Sequence, residues 1–268
     1  MPERPSNPES ALRSQRIAPG SIGIMWLEQS HFVFKTPSGL LVHVDPFLSR
    51  TVKPEEHIHP RPFLEPDRAP ADVVFLTHDH RDHTDPDTLV PMARVSPGCR
   101  FVGTRESCER LASLGIEPAR LATVAEGETV SIGGCSATAV HAENTSDHDR
   151  TTHLGFVFGF DGIRVYHAGD TRRDPDSYIA RLEPVRKLSP QVLLVAINEG
   201  YNNPGLAGAV RLAEFTNPRL IIPCHYDCFV HNTADPAAFV RALPPRLRPA
   251  VRVLDHGEFY VPAFSASA

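Results

Sequence analysis

With 268 residues, 41% of them apolar and 22% charged, the chain has the length and composition of an ordinary globular protein with one large core or two modest ones. Its net charge of −5 excludes bulk attraction to nucleic acid or to an anionic membrane, and no apolar run approaches the ~20 residues that cross a bilayer. Neither a secretion signal (the opening Met1-Pro2-Glu3-Arg4-Pro5-Ser6-Asn7 has no apolar segment) nor a disulfide framework is expected: five scattered cysteines, at 99, 108, 135, 224 and 228, predict free thiols in a reducing cytoplasm.

Residues 1–17 are polar and proline-bearing and predict a flexible lead-in to a single domain over 18–268. Residues 23–27, 31–35 and 40–45 predict strands, the last two joined by the turn Pro37-Ser38-Gly39. Residues 46–70 then carry six prolines, and so long a loop commonly serves as a lid or binding loop. Asp72-Val73-Val74-Phe75-Leu76 is short, branched and aromatic, as a buried strand should be. A helix is expected over 87–94, a strand over 100–103, and a helix from a Thr104 cap to about 114 with Gly115 as its stop. Strands at 121–124, 129–132 and 136–141 precede a hairpin of 153–160 and 163–167 turning at Asp161-Gly162. The last third alternates helix and strand: 177–188 helical, 192–197 a strand, 205–215 helical, 220–223 a strand, 235–242 helical, then two short strands. Strands, a polar strand end and helices thus occur in that order twice. That pattern predicts an α/β fold, a four-layer αβ/βα sandwich, with a site at the shared strand ends.

The polar strand ends carry the chemistry. Leu76 is followed by Thr77-His78-Asp79-His80-Arg81-Asp82-His83-Thr84-Asp85, with three histidines and three acids in the eight positions 78–85. Imidazole and carboxylate together suit zinc, manganese or iron better than magnesium or calcium. His78 and His80, two apart on extended backbone, project to one side and can grip one ion. After the chain turns, Asp82 and His83 can address a second. Gly169-Asp170 follows the strand 163–167, and His225 follows 220–223. Either alone is an ordinary turn or a structural histidine. Beside the first cluster they supply the bridging carboxylate and the capping imidazole of a metal pair. Cys224 reads as a buried thiol at a strand end.

His78-x-His80-x-Asp82-His83, then Gly169-Asp170, then His225 resembles the metallo-β-lactamase superfamily. Several stretches resemble its L-ascorbate-6-phosphate lactonase branch: Ala18-Pro19-Gly20, Met25-Trp26-Leu27, Asp45-Pro46-Phe47, Tyr166-His167-Ala168-Gly169-Asp170, and Ile222-Pro223-Cys224-His225-Tyr226-Asp227 with Asn232 and Asp235-Pro236. The resemblance implies that His78 and His80 hold one metal, that Asp82, His83 and His225 hold its neighbour, and that Asp170 lies between. The third ligand of the first metal should fall within His141-Ala142-Glu143-Asn144, at Asn144, with His141 or His148 as substitutes. A neutral amide there is a weak zinc ligand and suits manganese better. His167 is expected to orient a ligand rather than to be one.

These expectations combine into a hydrolase that uses one or two Mn²⁺ or Zn²⁺ ions to activate water against an ester-like carbonyl, as in lactone opening. Asp82 is the first candidate to take the water's proton and Asp170 the second. The resemblance implies a small anionic, sugar-acid-like substrate, for which Arg150, in Asp149-Arg150-Thr151, and Arg61 are the candidate cations. A phosphodiesterase or nuclease would use the same metals, but the acidic balance and the lack of a basic stripe weigh against it. A non-catalytic metal-binding protein of the same fold is the third reading. Expected partners are a small molecule and, for assembly, further copies of the chain, with neither nucleic acid nor membrane.

Overall fold

The computed structural model describes residues 7–264, so residues 1–6 of the expected lead-in and the last four residues of the domain lie outside the described residues. The first sheet contains β1 (Gly23–Trp26), β2 (Phe32–Lys35), β3 (Leu41–Val44), β4 (Val73–Leu76), β5 (Arg100–Gly103) and β6 (Leu121–Thr123) in that spatial order. β1 to β3 form an antiparallel meander, and β3 to β6 run parallel. The second sheet repeats the plan with β7 (Thr129–Ile132), β8 (Cys135–His141), β9 (Leu154–Phe160), β10 (Ile163–His167), β11 (Val192–Ala196) and β12 (Leu220–Cys224). Its first four strands are antiparallel and the last two join in parallel. β13 (Phe259–Tyr260) pairs with β1 at the edge of the first sheet.

Side-chain alternation along each strand decides what packs where. In the first sheet, Trp26, Phe34, Val44 and Phe75 belong to the core shared with the second sheet. Their neighbours Met25, Val33, Leu41 and Val74 belong to a separate cluster with Leu12, Leu89, Met92 and Leu111 from α1 (Pro8–Ser14), α2 (Pro86–Val95) and α3 (Arg105–Ser113). Phenylalanine rings knit the sheets together: Phe75 lies 5.3 Å from Phe156 and 5.0 Å from Phe158, and Phe34 lies 5.1 Å from Phe160, centroid to centroid. On the far side, α4 (Glu183–Leu188), α5 (Gly205–Thr216) and α6 (Pro236–Ala242) contribute Val185, Leu212 and Phe239. The result is the expected four-layer αβ/βα sandwich.

Three local expectations are corrected. Residues 8–14, read as part of a flexible lead-in, form a helix capped by Asn7, with Ala11 and Leu12 buried and the Leu12 carbonyl accepting from Lys35 Nζ. Residues 177–188 are not one helix: short 3₁₀ turns at Pro175–Ser177 and Ile179–Leu182 lead into α4, because Pro184 has no N–H and is tolerated only in a first turn. The chain finishes with one two-residue strand and an isolated bridge between Val251 and Ile221, instead of two strands.

Pro223 lies within β12, the edge strand of its sheet, where a missing N–H is tolerated. Beside it the Arg252 N–H donates to the Ile221 carbonyl at 2.9 Å. Among the described residues no helix is long and apolar enough to cross a membrane.

Candidate metal centre

The site is assembled where the parallel strands end. Asp45, directly after β3, has φ +45° and is fully buried. Its carboxylate accepts from Thr77 N (2.8 Å), Thr77 Oγ1 (2.6 Å) and His83 Nδ1 (2.8 Å). The ends of β3 and β4 are thereby tied together and the His83 ring is fixed, with Nδ1 donating and Nε2 free. The turn between is tight: the His83 and Thr84 N–H groups both donate to the His80 carbonyl. Arg110 from α3 clamps Asp79 through two charge-assisted bonds of 2.6 and 2.7 Å.

His225, just past β12 with φ +62°, places Nε2 3.3 Å from Asp170 Oδ1 and 3.7 Å from Asp82 Oδ2. His83 Nε2 lies 3.5 and 3.7 Å from the same two atoms. One donor group is thus Asp82, His83 and His225, and a second is His78, His80 and His153; in each, one ligand atom per residue lies within 4.8 Å of the others. Asp170 forms a third such group with His78 and His83, which puts it between the other two. The turn presenting Asp170 needs Gly169: φ is +62°, and a Cβ there would meet the Leu154 carbonyl at 2.7 Å. His167 accepts from Gly169 N at 3.1 Å and pairs with the Ser30 carbonyl at 2.9 Å, so it shapes this turn and offers no free nitrogen.

His153, rather than Asn144, completes the first group. The Asn144 amide donates to the carbonyls of Asp149 and Thr151 and its oxygen accepts from Ser146 N, so its polar atoms are spent holding the 144–151 loop. His153, the residue before β9, gives Nδ1 to the Asp170 carbonyl at 3.1 Å, and its Nε2 is buried without a partner. His141 is held between Glu126 and Glu143, and His148 is exposed, so neither joins the group. The sequence pattern that singled out polar residues after strands passed over this histidine because it stands before one. Asp45, quoted above only within Asp45-Pro46-Phe47, was given no role in the site because it follows its strand without an adjacent imidazole or second carboxylate.

Charge is distributed unevenly across the groups. Burial disfavours the charged form of Asp170, yet His225 and His83 beside it hold its carboxyl well below the usual range. Burial likewise opposes protonation of His83 and His225, but Asp170 and Asp82 outweigh it and raise both imidazoles. His78 is pushed well below the ordinary histidine value by burial and by the neighbouring His83 and His153. His78, disfavoured from protonation, therefore stands beside two imidazoles that carboxylates draw toward protonation, and the buried Nε2 atoms of His83 and His153 have nothing to bond. A nitrogen–oxygen donor set of this kind, with unpartnered buried nitrogens aimed inward, fits a divalent transition metal.

His80, Asp82, Asp170 and His225 form one end of a cavity of about 940 Å³, also lined by Gln29, Tyr201, Asn203 and Asn232. Gln29 Nε2 donates to Asp82 Oδ2 at 3.0 Å, and Asn203 Nδ2 to Asp170 Oδ2 at 2.9 Å. Neither Arg150 nor Arg61 lines this cavity. Both are exposed, and alternation along the loop turns Asp149 inward, onto His80 and Thr151, while Arg150 faces solvent. The cations that do line it are Lys53 and Arg81.

The family description "Beta-lactamase superfamily domain" matches residues 41–226, a span that holds every one of these donors. The chain belongs to the beta-lactamase superfamily. Similar to this superfamily member are proteins named "UPF0173 metal-dependent hydrolase": one from Methanosarcina mazei is 28% identical over 243 residues, 88% of this chain and 96% of the relative. Another, from Thermofilum pendens, is 30% identical and spans 81% of this chain and 86% of its own length. In fold, this superfamily member is similar to Igni18, a metallo hydrolase of Ignicoccus hospitalis, at a TM-score of 0.70 and 24% identity over 91% of this chain and all of that one. The αβ/βα sandwich described above is the metallo-beta-lactamase fold.

Proposed function

We propose that this metal-dependent hydrolase opens small, polar lactones of the sugar-acid type. The observation that carries the reading is the cavity: donors able to hold two metals sit at one end of an enclosure sized for a small molecule, with hydrogen-bonding side chains on its walls. His78, His80 and His153 would hold one ion and Asp82, His83 and His225 the other, with Asp170 between them. A zinc or manganese ion supplies a Lewis acid and lowers the pKa of water. The chain's own residues do the rest. Asp45 keeps His83 turned toward the centre, and Asn203 does the same for Asp170. Asp82 is half-buried, lines the cavity and is held by Gln29, so it is the better placed of the two carboxylates to accept a proton from the attacking water. Asp170 is more deeply buried and already bonded through Oδ2.

Lys53 and Arg81 support a substrate with an anionic end, though each is already paired: Lys53 with Glu56 at 3.2 Å, Arg81 with Asp87 at 2.6 Å. A single carboxylate or phosphate that displaces one of these acids suits that balance better than a polyanion does. The test is turnover of a lactone panel against bis-p-nitrophenyl phosphate, with zinc or manganese added and with a chelator. The expected outcome is metal-dependent lactone opening, lost in His153→Ala, with the bound metal retained in Asn144→Ala. Phosphodiester cleavage without lactone opening would overturn the substrate class, and full activity in His153→Ala would overturn the ligand set.

A further inference from the structure

Outside the cavity, a separate set of metal-ligand side chains draws together three distant segments. His59 comes from the proline-rich loop, Asp227 from the turn after β12, and His256 from the turn before β13. Their ligand atoms lie within 4.8 Å of one another. His59 Nε2 is 3.4 Å from Asp227 Oδ2, and His256 Nδ1 is 3.8 Å from the same oxygen. Around a tetrahedral zinc, donors at ~2.0–2.1 Å from the ion stand roughly 3.4 Å apart, so the two separations at Asp227 are close to the required length. We propose that His59, Asp227 and His256 form a further binding site for a divalent transition-metal ion, distinct from the cavity centre, that pins the 46–70 loop to the body of the domain.

Three observations beyond the distances support it. His256 is only 7% exposed, and the ring nitrogen it turns to the site is Nδ1, 3.8 Å from Asp227 Oδ2, with Nε2 on the other side of the ring unpartnered. Trp26 and Phe63 pack against its ring at 4.2 and 4.9 Å and fix its plane, which prepares it as a ligand. Asp227 adopts φ +55°, a left-handed conformation that costs free energy in a non-glycine residue and that holds the carboxylate between the two rings. The nearby cation, Arg50, donates to the His59 carbonyl and is paired with the buried Glu28 at 2.5 Å. Asp227 and His59 are partly exposed, which leaves the remaining coordination positions open to solvent.

The probe is zinc. The metal-stripped full-length chain is titrated and the tightly bound equivalents are counted by elemental analysis after gel filtration. His59→Gln and His256→Gln should each bind one zinc fewer than the parent chain. His225→Ala should lose a cavity zinc yet keep the one that His59→Gln loses, and the double variant should lose both. Unchanged stoichiometry in both His59→Gln and His256→Gln overturns the proposal, as does a loss that is not additive with His225→Ala. Should a histidine variant fail to fold, as judged by circular dichroism, Asp227→Asn preserves shape while removing the charged ligand. It should bind one zinc fewer, and retention of every zinc there overturns the site equally.

Discussion

A buried imidazole that has given one nitrogen away has its tautomer chosen for it, and both His83 and His153 are in that position. The carboxylate of Asp45 takes Nδ1 of His83, and the carbonyl of Asp170 takes Nδ1 of His153. Asp45→Asn keeps the shape but no longer offers two equivalent acceptors, so the His83 ring loses its enforced orientation. Metal affinity should fall roughly 10- to 100-fold, measured by chelator competition, with near-parental folding. An unchanged affinity would show that packing alone orients the ring. Glu28 carries a second prediction. Burial pushes its carboxyl up to about 7, and the opposing pull of Arg50 does not restore the ordinary value. The folded chain thus holds this proton more tightly than the unfolded chain. The stabilisation is fully present below about 4.5 and is lost as pH rises through about 7. Glu28→Gln, neutral throughout, should flatten that part of the stability–pH curve in urea melts; an identical curve would mean that Glu28 does not titrate there. At this scale the sequence pointed to donor atoms where imidazoles and carboxylates crowd together, as in 78–85, and was silent on a lone histidine before a strand. The lone amide at 144 and the lone histidine at 153 both lie in a polar stretch without periodicity, and only the path of the loop decides between them.

Among the elements, the proline-rich loop is the one whose position matters most to the cavity, since Val52, Lys53 and Glu56 form part of its wall. Its start is anchored to α2. Thr88 Oγ1 accepts from both Leu48 N (2.8 Å) and Ser49 N (3.0 Å) and donates to Asp85, the residue that caps the helix. Thr88→Val keeps the volume and strands two buried N–H groups, at a cost of about 2–4 kcal/mol if each loses roughly 1–2. The loss should be visible in chemical denaturation, whereas a change below about 0.5 kcal/mol would show that the amides find other partners. Strands were legible because alternation and turn residues agree, and so was the Thr104 cap, which accepts from Ser107 N at 3.3 Å. α1 was not legible. Its helix is short and polar, and what holds it is the burial of Leu12 and a bond from Lys35, contacts that depend on residues far along the chain.

Over the whole molecule, the centre is shared between the sheets: His78, His80, Asp82 and His83 follow the first sheet's β4, and His153, Asp170 and His225 flank strands of the second. An ion held by both groups therefore favours only the docked state. At a free concentration about 1,000 times Kd, the stabilisation is about 4 kcal/mol, or roughly 8–16 °C in melting temperature for a chain of this size. Zinc or manganese should raise the melting temperature of stripped protein by that order, and His225→Ala should reduce the rise. An equal rise in that variant would place the stabilising ion elsewhere. The outer edge of β12 governs how such a chain behaves when it is stressed. Residues two apart on a strand direct their backbone groups to the same side, so Pro223 faces outward as Ile221 does. Ile221 already receives the Arg252 N–H there, and the next outward group, His225 N, donates to the Gln29 carbonyl. A strand from another molecule arriving at this edge would meet one occupied acceptor, one absent donor and one spent donor in succession. Templated strand addition, the first step of fibril growth, is thereby blocked along the edge that ends at His225.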